Sequence, residues 1–303
     1  MDSKKIRKSI GRYFGWLVLK SCIFIVRILP GSQVYGFAKL IALLGYRIAA
    51  KQRRIALDSL AVAFGDEKSP AERERIARDC FIFMAKAGFE VVFMLDKFER
   101  IKQEISILGK EHLDSALSKG KGVILVSAHF GNFPLMLARL SLEGYRTVGI
   151  MRPMKDTRVE KIFLEKREKL QIKTIYSIPR DTCIKETIRA LRANELIFMP
   201  LDQNFGTGGV LVEFFGKKAA TATGPIVLAR RTGAAVLPCF IIRQKDDTHK
   251  IVFEPPLDIE EGNSPKEIIR NSVQRITNII EHYIRQYPAQ WGWIHRRWKS
   301  APK

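Results

Sequence analysis

Apolar and polar positions fall into three regimes along the chain. Residues 13–30 and 34–50 are largely apolar stretches interrupted by single cations. Between residues 70 and 94, Ile76, Cys80, Phe83, Ala87, Val91 and Met94 recur at the spacing of one helix face. Ser69-Pro70-Ala71-Glu72 opens that helix with the capping-box pattern and a proline at its first position. From residue 122 the regime changes. Short solid apolar runs, as expected of strands buried on both faces, alternate with helical periods. Val123–Val126, Tyr145–Met151, Lys173–Tyr176 and Leu196–Leu201 read as strands. Residues 156–170 and 181–193 read as helices, with Asp181 placed to cap the second. Val210–Phe215 is a further apolar run, and Ala219–Gly224 a small-residue stretch. Thr223 then caps a helix carrying Arg230 and Arg231. Ala234–Arg243 and Lys250–Glu254 are the last strands, and Ser264-Pro265-Lys266-Glu267 starts a helix reaching about Tyr287. Alternating strands and helices predict an α/β fold with a mainly parallel central sheet flanked by helices.

In such sheets, functional groups gather where strands end. His129 follows the first strand directly, and Gly131 and Asn132 permit a sharp turn into a helix whose first turn accepts Pro134. An imidazole there can act as a general base, with helix N–H groups nearby to receive negative charge. A lone histidine at a turn serves equally as a structural residue. Arg152 and Asp202, which also follow strands directly, make three chemically useful groups at three strand ends. Gly206, Gly208 and Gly209 form neither a P-loop nor a dinucleotide fingerprint. Ser127 lacks the nucleophile-elbow pattern, and no metal cluster is visible, so no metal or cofactor is expected.

The net charge is +21, from 52 Lys and Arg against 31 Asp and Glu. That excess calls for an acidic partner: nucleic acid, an anionic membrane surface or an acidic protein. The cations are spread throughout and form no nucleic-acid motif, which argues against nucleic acid. The four cysteines are widely spaced, without CxxC, and suggest a reducing compartment.

The N-terminal stretch is basic over residues 1–12 and apolar thereafter, but Lys20 and Arg27 interrupt it and no small-residue cleavage site follows. On a helix, Lys5, Arg12, Lys20 and Arg27 share one side, with Leu17, Cys22, Ile25 and Leu29 directed elsewhere. That pattern predicts a helix lying in the headgroup zone of a membrane. The predicted organisation is residues 1–50 as membrane-anchoring helices and residues 51–303 as the catalytic domain. The closing Trp291-Gly292-Trp293-Ile294-His295-Arg296-Arg297-Trp298-Lys299 interleaves aromatics and cations, as suits a membrane interface or an anionic ligand.

Several motifs agree in order and spacing: Ala128-His129-Phe130-Gly131-Asn132, Arg152-Pro153, Pro200-Leu201-Asp202-Gln203, Phe214-Phe215-Gly216-Lys217, Leu228 to Ala234, and Gln290 to Lys299. On them, the chain resembles the bacterial late acyltransferases of lipid A biosynthesis, within the lysophospholipid acyltransferase superfamily. The resemblance implies an enzyme at the cytoplasmic face of the inner membrane that moves an acyl chain from acyl carrier protein to a hydroxyl of a phosphorylated glycolipid. It implies His129 as general base. Asn132, Arg152, Gln203, Arg230 and Arg231 become candidates for substrate binding. The sequence departs from the family at one position. The usual carboxylate partner of the histidine falls at Pro134, which cannot ionise. Asp202 is the favoured replacement, with Glu143 and Glu90 behind it. A non-catalytic lipid-binding relative, or an acyltransferase for another membrane lipid, is the alternative.

Overall fold

A computed structural model describes residues 3–259 and 262–300. In chain order its elements are α1 (Ser3–Ile28), α2 (Gly31–Ile48), α3 (Ala50–Phe64), α4 (Pro70–Phe93), α5 (Phe98–Glu104), β1 (Ile105–Leu108), α6 (Lys110–Leu117), β2 (Val123–Ser127) and α7 (Phe133–Leu142). There follow β3 (Thr147–Met151), α8 (Thr157–Lys169), β4 (Lys173–Tyr176), α9 (Arg180–Arg192), β5 (Leu196–Pro200), β6 (Val210–Phe214) and β7 (Lys217–Thr221). The last are α10 (Gly224–Thr232), β8 (Ala235–Arg243), β9 (His249–Phe253) and α11 (Pro265–Gln286).

Seven strands form one sheet in the order β1-β9-β8-β2-β5-β3-β4. All neighbours are parallel except β8 and β9. β6 and β7 form a separate antiparallel hairpin. Side-chain alternation divides the core. Ile124 and Val126 of β2 face an apolar cluster shared with α3, α9, α10 and α11. Val123 and Leu125 face the other, shared with α2, α6 and α7. Helix α4 contributes Ile76, Ala77 and Cys80 to the first cluster and Phe89 and Phe93 to the second. It therefore crosses the sheet edge where the site lies. Val26, Val34 and Ala38 join the second cluster, so the end of α1 and the buried face of α2 pack on the body of the protein.

Local signals account for most element starts. Ser69 accepts from the Glu72 backbone N–H, and the Glu72 carboxylate accepts from the Ser69 N–H, completing the capping box of α4. Ser264 caps α11 through the Glu267 N–H. Asp181 is not a cap: Pro179 holds that position of α9, and Asp181 stands in the first turn. Thr223 occupies the N-cap of α10 without a side-chain bond. The small-residue stretch from Ala219 lies within and beyond β7, which gains strand form by pairing with β6.

At the N-terminus the apolar face differs from the expected one. Cys22 and Leu29 pack against the body. Leu17 is exposed as expected, and with it Phe14, Val18, Phe24 and Ile28 of α1 and Leu40, Leu44 and Ile48 of α2. The side chains of Lys5 and Arg27 lie outside the described residues. Among the described residues, no helix is long and apolar enough to cross a membrane.

Candidate active site

Register builds the centre of the site. Ser127 of β2 pairs with Pro200 of β5, so the second residue beyond each pairing partner, His129 and Asp202, emerges side by side. The Leu201 N–H donates to the Ser127 carbonyl at 2.9 Å and keeps the two chains together past the last rung. His129 Nδ1 lies 2.8 Å from Asp202 Oδ1, and the Trp291 indole N–H donates to Asp202 Oδ2 at 2.7 Å. The Asp202 side chain is fully buried, while that of His129 is 29% exposed. An indole is only a donor, so it favours the ionised carboxylate. That carboxylate favours the His129 tautomer with its proton on Nδ1, leaving the Nε2 lone pair toward solvent. The Gln203 amide nitrogen stands 3.2 Å from that Nε2, as a donor to the lone pair.

Charge and burial oppose each other at both groups. Burial alone would raise the Asp202 pKa, but its hydrogen bonds to His129 and Trp291 and the His129 charge hold it below the usual carboxylate value. Burial alone would lower the His129 pKa, but the Asp202 hydrogen bond and charge raise it above that of a free imidazole. His295 lies alongside, its ring centroid 5.7 Å from that of His129. Burial holds its pKa down, aided by the His129 charge and opposed by that of Asp202.

The turn after His129 has no room for a side chain at Gly131. Its φ is +61°, and a Cβ there would stand 1.8 Å from the Ile241 carbonyl oxygen. Its N–H donates to the Gln290 carbonyl at 2.9 Å, and Phe130 bridges to Trp291. The C-terminal segment is thus stitched to the histidine turn. Trp291 and Trp293 are fully buried and Arg297 nearly so, which corrects the expectation of an interfacial aromatic belt. Arg297 donates to the Gln203 and Ala220 carbonyls at 3.2 and 2.6 Å, fixing the backbone beside Asp202. Trp291 was legible as part of a motif, but nothing in its spacing revealed an indole aimed at Asp202.

The remaining candidates scatter. Asn132 is buried and turns away from the histidine: its amide donates to the Ala87 carbonyl and to Glu90 Oε2, at 3.1 and 2.8 Å. Glu90, fully buried, also accepts from Tyr35 at 2.8 Å and Arg243 at 2.5 Å. It is therefore a tie between α4, the histidine turn and β8 rather than a partner of His129. Nearby His249 is kept neutral: burial pushes its pKa down to about 4. Glu143 pairs with Arg139 and Lys110 at the C-terminal end of α7, away from His129. Pro134 stands in the first turn of α7. Arg152 is exposed at the end of β3, with β5 between it and β2. The nearby Asp156 pairs with Arg158 rather than with Arg152. Arg230 and Arg231 are exposed in the last turn of α10, which leads into the start of β8. That start pairs with Val123, so these two arginines lie at the sheet edge opposite His129. Among the described residues, no group of His, Cys, Asp and Glu forms a metal site.

The bacterial lipid A biosynthesis acyltransferase family matches residues 1–300. The chain belongs to that family. It is 25% identical to the lipid A biosynthesis lauroyltransferase of Escherichia coli over 295 residues, covering 95% of this chain and 90% of that one. It is 27% identical to the palmitoleoyltransferase of the same organism over 276 residues, covering 86% and 85%. A phosphatidylinositol mannoside acyltransferase from Mycolicibacterium smegmatis is 26% identical over 200 residues, covering 66% of this chain and 64% of that one. Membership makes the protein a lipid A or glycolipid acyltransferase.

Proposed function

We propose that this acyltransferase transfers a fatty acyl chain from acyl carrier protein to a hydroxyl of a lipid A precursor, with His129 as general base and Asp202 as its orienting carboxylate. The observation that carries the reading is the Asp202–His129 pair at 2.8 Å, with Pro134 standing where the family's carboxylate would be. The acceptor hydroxyl takes the place of the Gln203 amide at His129 Nε2. As its oxygen attacks the thioester carbonyl, its proton passes to Nε2, and the buried carboxylate stabilises the imidazolium. The tetrahedral intermediate collapses, the carbon–sulfur bond breaks, and the imidazolium returns the proton to the departing thiolate. The products are an ester and a free carrier thiol. Gln203 guards the base and then contacts the acceptor, and Arg152, which forms no ion pair among the described residues, is a cation on the β3 side for an anionic group of the substrate.

The cationic surface favours an acidic carrier as donor. The exposed apolar stripe of α1 and α2 supports docking of the enzyme on the inner membrane from the cytoplasmic side, with its cations on anionic headgroups. Mass spectrometry of a tetra-acylated precursor incubated with acyl carrier protein thioester tests the activity. Added acyl mass that His129→Ala abolishes is the expected result. No added mass, or mass indifferent to that substitution, overturns the reading.

A further inference from the structure

Two adjoining hollows that share Ile55, Asp58 and Arg296 form a recess between the start of α3 and the closing segment, and Lys51, Arg54, Arg296 and Lys299 line it against a single carboxylate, Asp58. Arg54 and Asp58 approach only to 3.9 Å, with both side chains exposed. Among the described residues, Lys51, Arg296 and Lys299 pair with no carboxylate. Arg297 also lines the recess, buried, with its Nε–H unpartnered. Lys51 and Arg54 belong to the first turn and a half of α3, whose first turn holds no acidic residue and whose N-cap makes no side-chain bond. Cations on the positive end of a helix repel its dipole, an arrangement that an anion relieves.

The position of the recess selects the ligand. At one end, Lys51 follows Leu44 and Ile48, the exposed apolar residues that close α2. At the other, Arg296 follows His295, whose ring lies beside that of His129. Ser59 of α3 reaches the His295 carbonyl at 3.5 Å and links the two walls. The cations thus lie between the apolar surface and the base.

We infer that this recess binds a lipid-borne phosphate monoester, holding the acceptor's headgroup while its acyl chains remain on the apolar side. The inference rests on the proposed acyl transfer to a phosphorylated lipid and adds the place where its phosphate is held. Arg54 and Arg296 supply planar donor pairs suited to phosphate oxygens, and Lys51 and Lys299 supply point charges.

The test uses the full chain and the triple variant Lys51→Gln, Arg54→Gln, Arg296→Gln, all at exposed positions. Phosphatidylcholine vesicles carry either the phosphorylated precursor or the same precursor after phosphatase treatment. Wild type is expected to sediment with the phosphorylated vesicles at least about 10-fold more tightly, the worth of one charge-assisted contact. The triple variant is expected to lose that preference, and Arg54→Lys with Arg296→Lys to keep most of it. In the acyl-transfer assay, the triple variant should raise KM for the acceptor by a similar factor and leave KM for the carrier thioester unchanged. A preference retained by the triple variant overturns the inference. So does a rise in the carrier KM alone, which would make the recess a carrier-docking surface. Inorganic phosphate at matched concentration should not compete; full competition would mark a free-anion site and also overturn it. If wild type transfers no acyl chain, the proposed function fails, while the vesicle measurement still decides the recess.

Discussion

The Asp202 side chain has no exposed surface, yet two hydrogen-bond donors converge on it: the His129 ring and the Trp291 indole. A buried carboxylate without such donors would sit well above its usual pKa. With them it stays ionised and acts on the histidine. The consequence is a pH signature. A base must be neutral to accept a proton, and the Asp202 hydrogen bond and charge outweigh burial to raise the His129 pKa. The acid limb of the rate profile should therefore have its midpoint above the free-imidazole value of about 6.5. Replacing Asp202 by Asn leaves burial as the surviving influence and should move the limb below that value. A profile of kcat against pH for both proteins checks the sign, and a limb that does not fall in the variant contradicts it. His129 and Asp202 were legible in the sequence because each directly follows a solid apolar run. Trp291 was not: an indole's target depends on how a distant segment docks, and no periodicity encodes that.

At the scale of elements, the strand–turn–helix from Gly122 to Leu142 positions His129, and the turn depends on the absence of one side chain. Gly131 and Gly216 both adopt left-handed backbone, with φ +61° and +65°. A Cβ at Gly216 meets open space, whereas one at Gly131 collides with the Ile241 carbonyl oxygen. Gly216→Ala should therefore cost about 1–2 kcal/mol, the left-handed penalty alone. Gly131→Ala should cost more, since β8 must move, and should lower activity by displacing His129. Urea unfolding of the two variants measures the difference; equal costs would contradict the close approach. The sheet's strands were largely legible because burial on both faces makes them apolar throughout. β7 was not, since Lys217-Lys218-Ala219-Ala220 lacks strand preference and is held by its partner β6. Glu90, a weaker candidate for the partner of His129, is instead paired with Arg243. Only the packing of α4 across the strand ends reveals that Asn132 joins the pair.

Across the whole molecule, the exposed apolar side chains of α1 and α2 and the net charge of +21 point to one surface chemistry. Apolar burial and electrostatic attraction should add in binding to anionic vesicles. Replacing Phe14, Val18, Phe24 and Ile28 together by Ser should weaken sedimentation with phosphatidylglycerol vesicles by 10-fold or more, at about 25 cal/mol per Å² of apolar surface withdrawn from water. Raised salt should weaken the wild type further. Undiminished binding by the quadruple variant would remove these helices from the membrane contact. The amphipathic character of α1 was evident from sequence, and Leu17 is exposed as expected, but Cys22 and Leu29 turn inward. Which side of a helix packs inward depends on the partner, and the body of the protein takes Cys22 and Leu29.

The proposed mechanism requires Asp202 to serve His129 where Pro134 leaves no carboxylate. Single-turnover acyl transfer by Asp202→Asn, with acceptor and carrier thioester both saturating, tests it most directly. An amide facing both the ring N–H and the indole N–H cannot accept from each, so the wrong histidine tautomer is favoured. The predicted rate is lower than wild type by about 10³–10⁴-fold with folding intact, the scale known for losing an orienting carboxylate. A rate within a few-fold of wild type would contradict it.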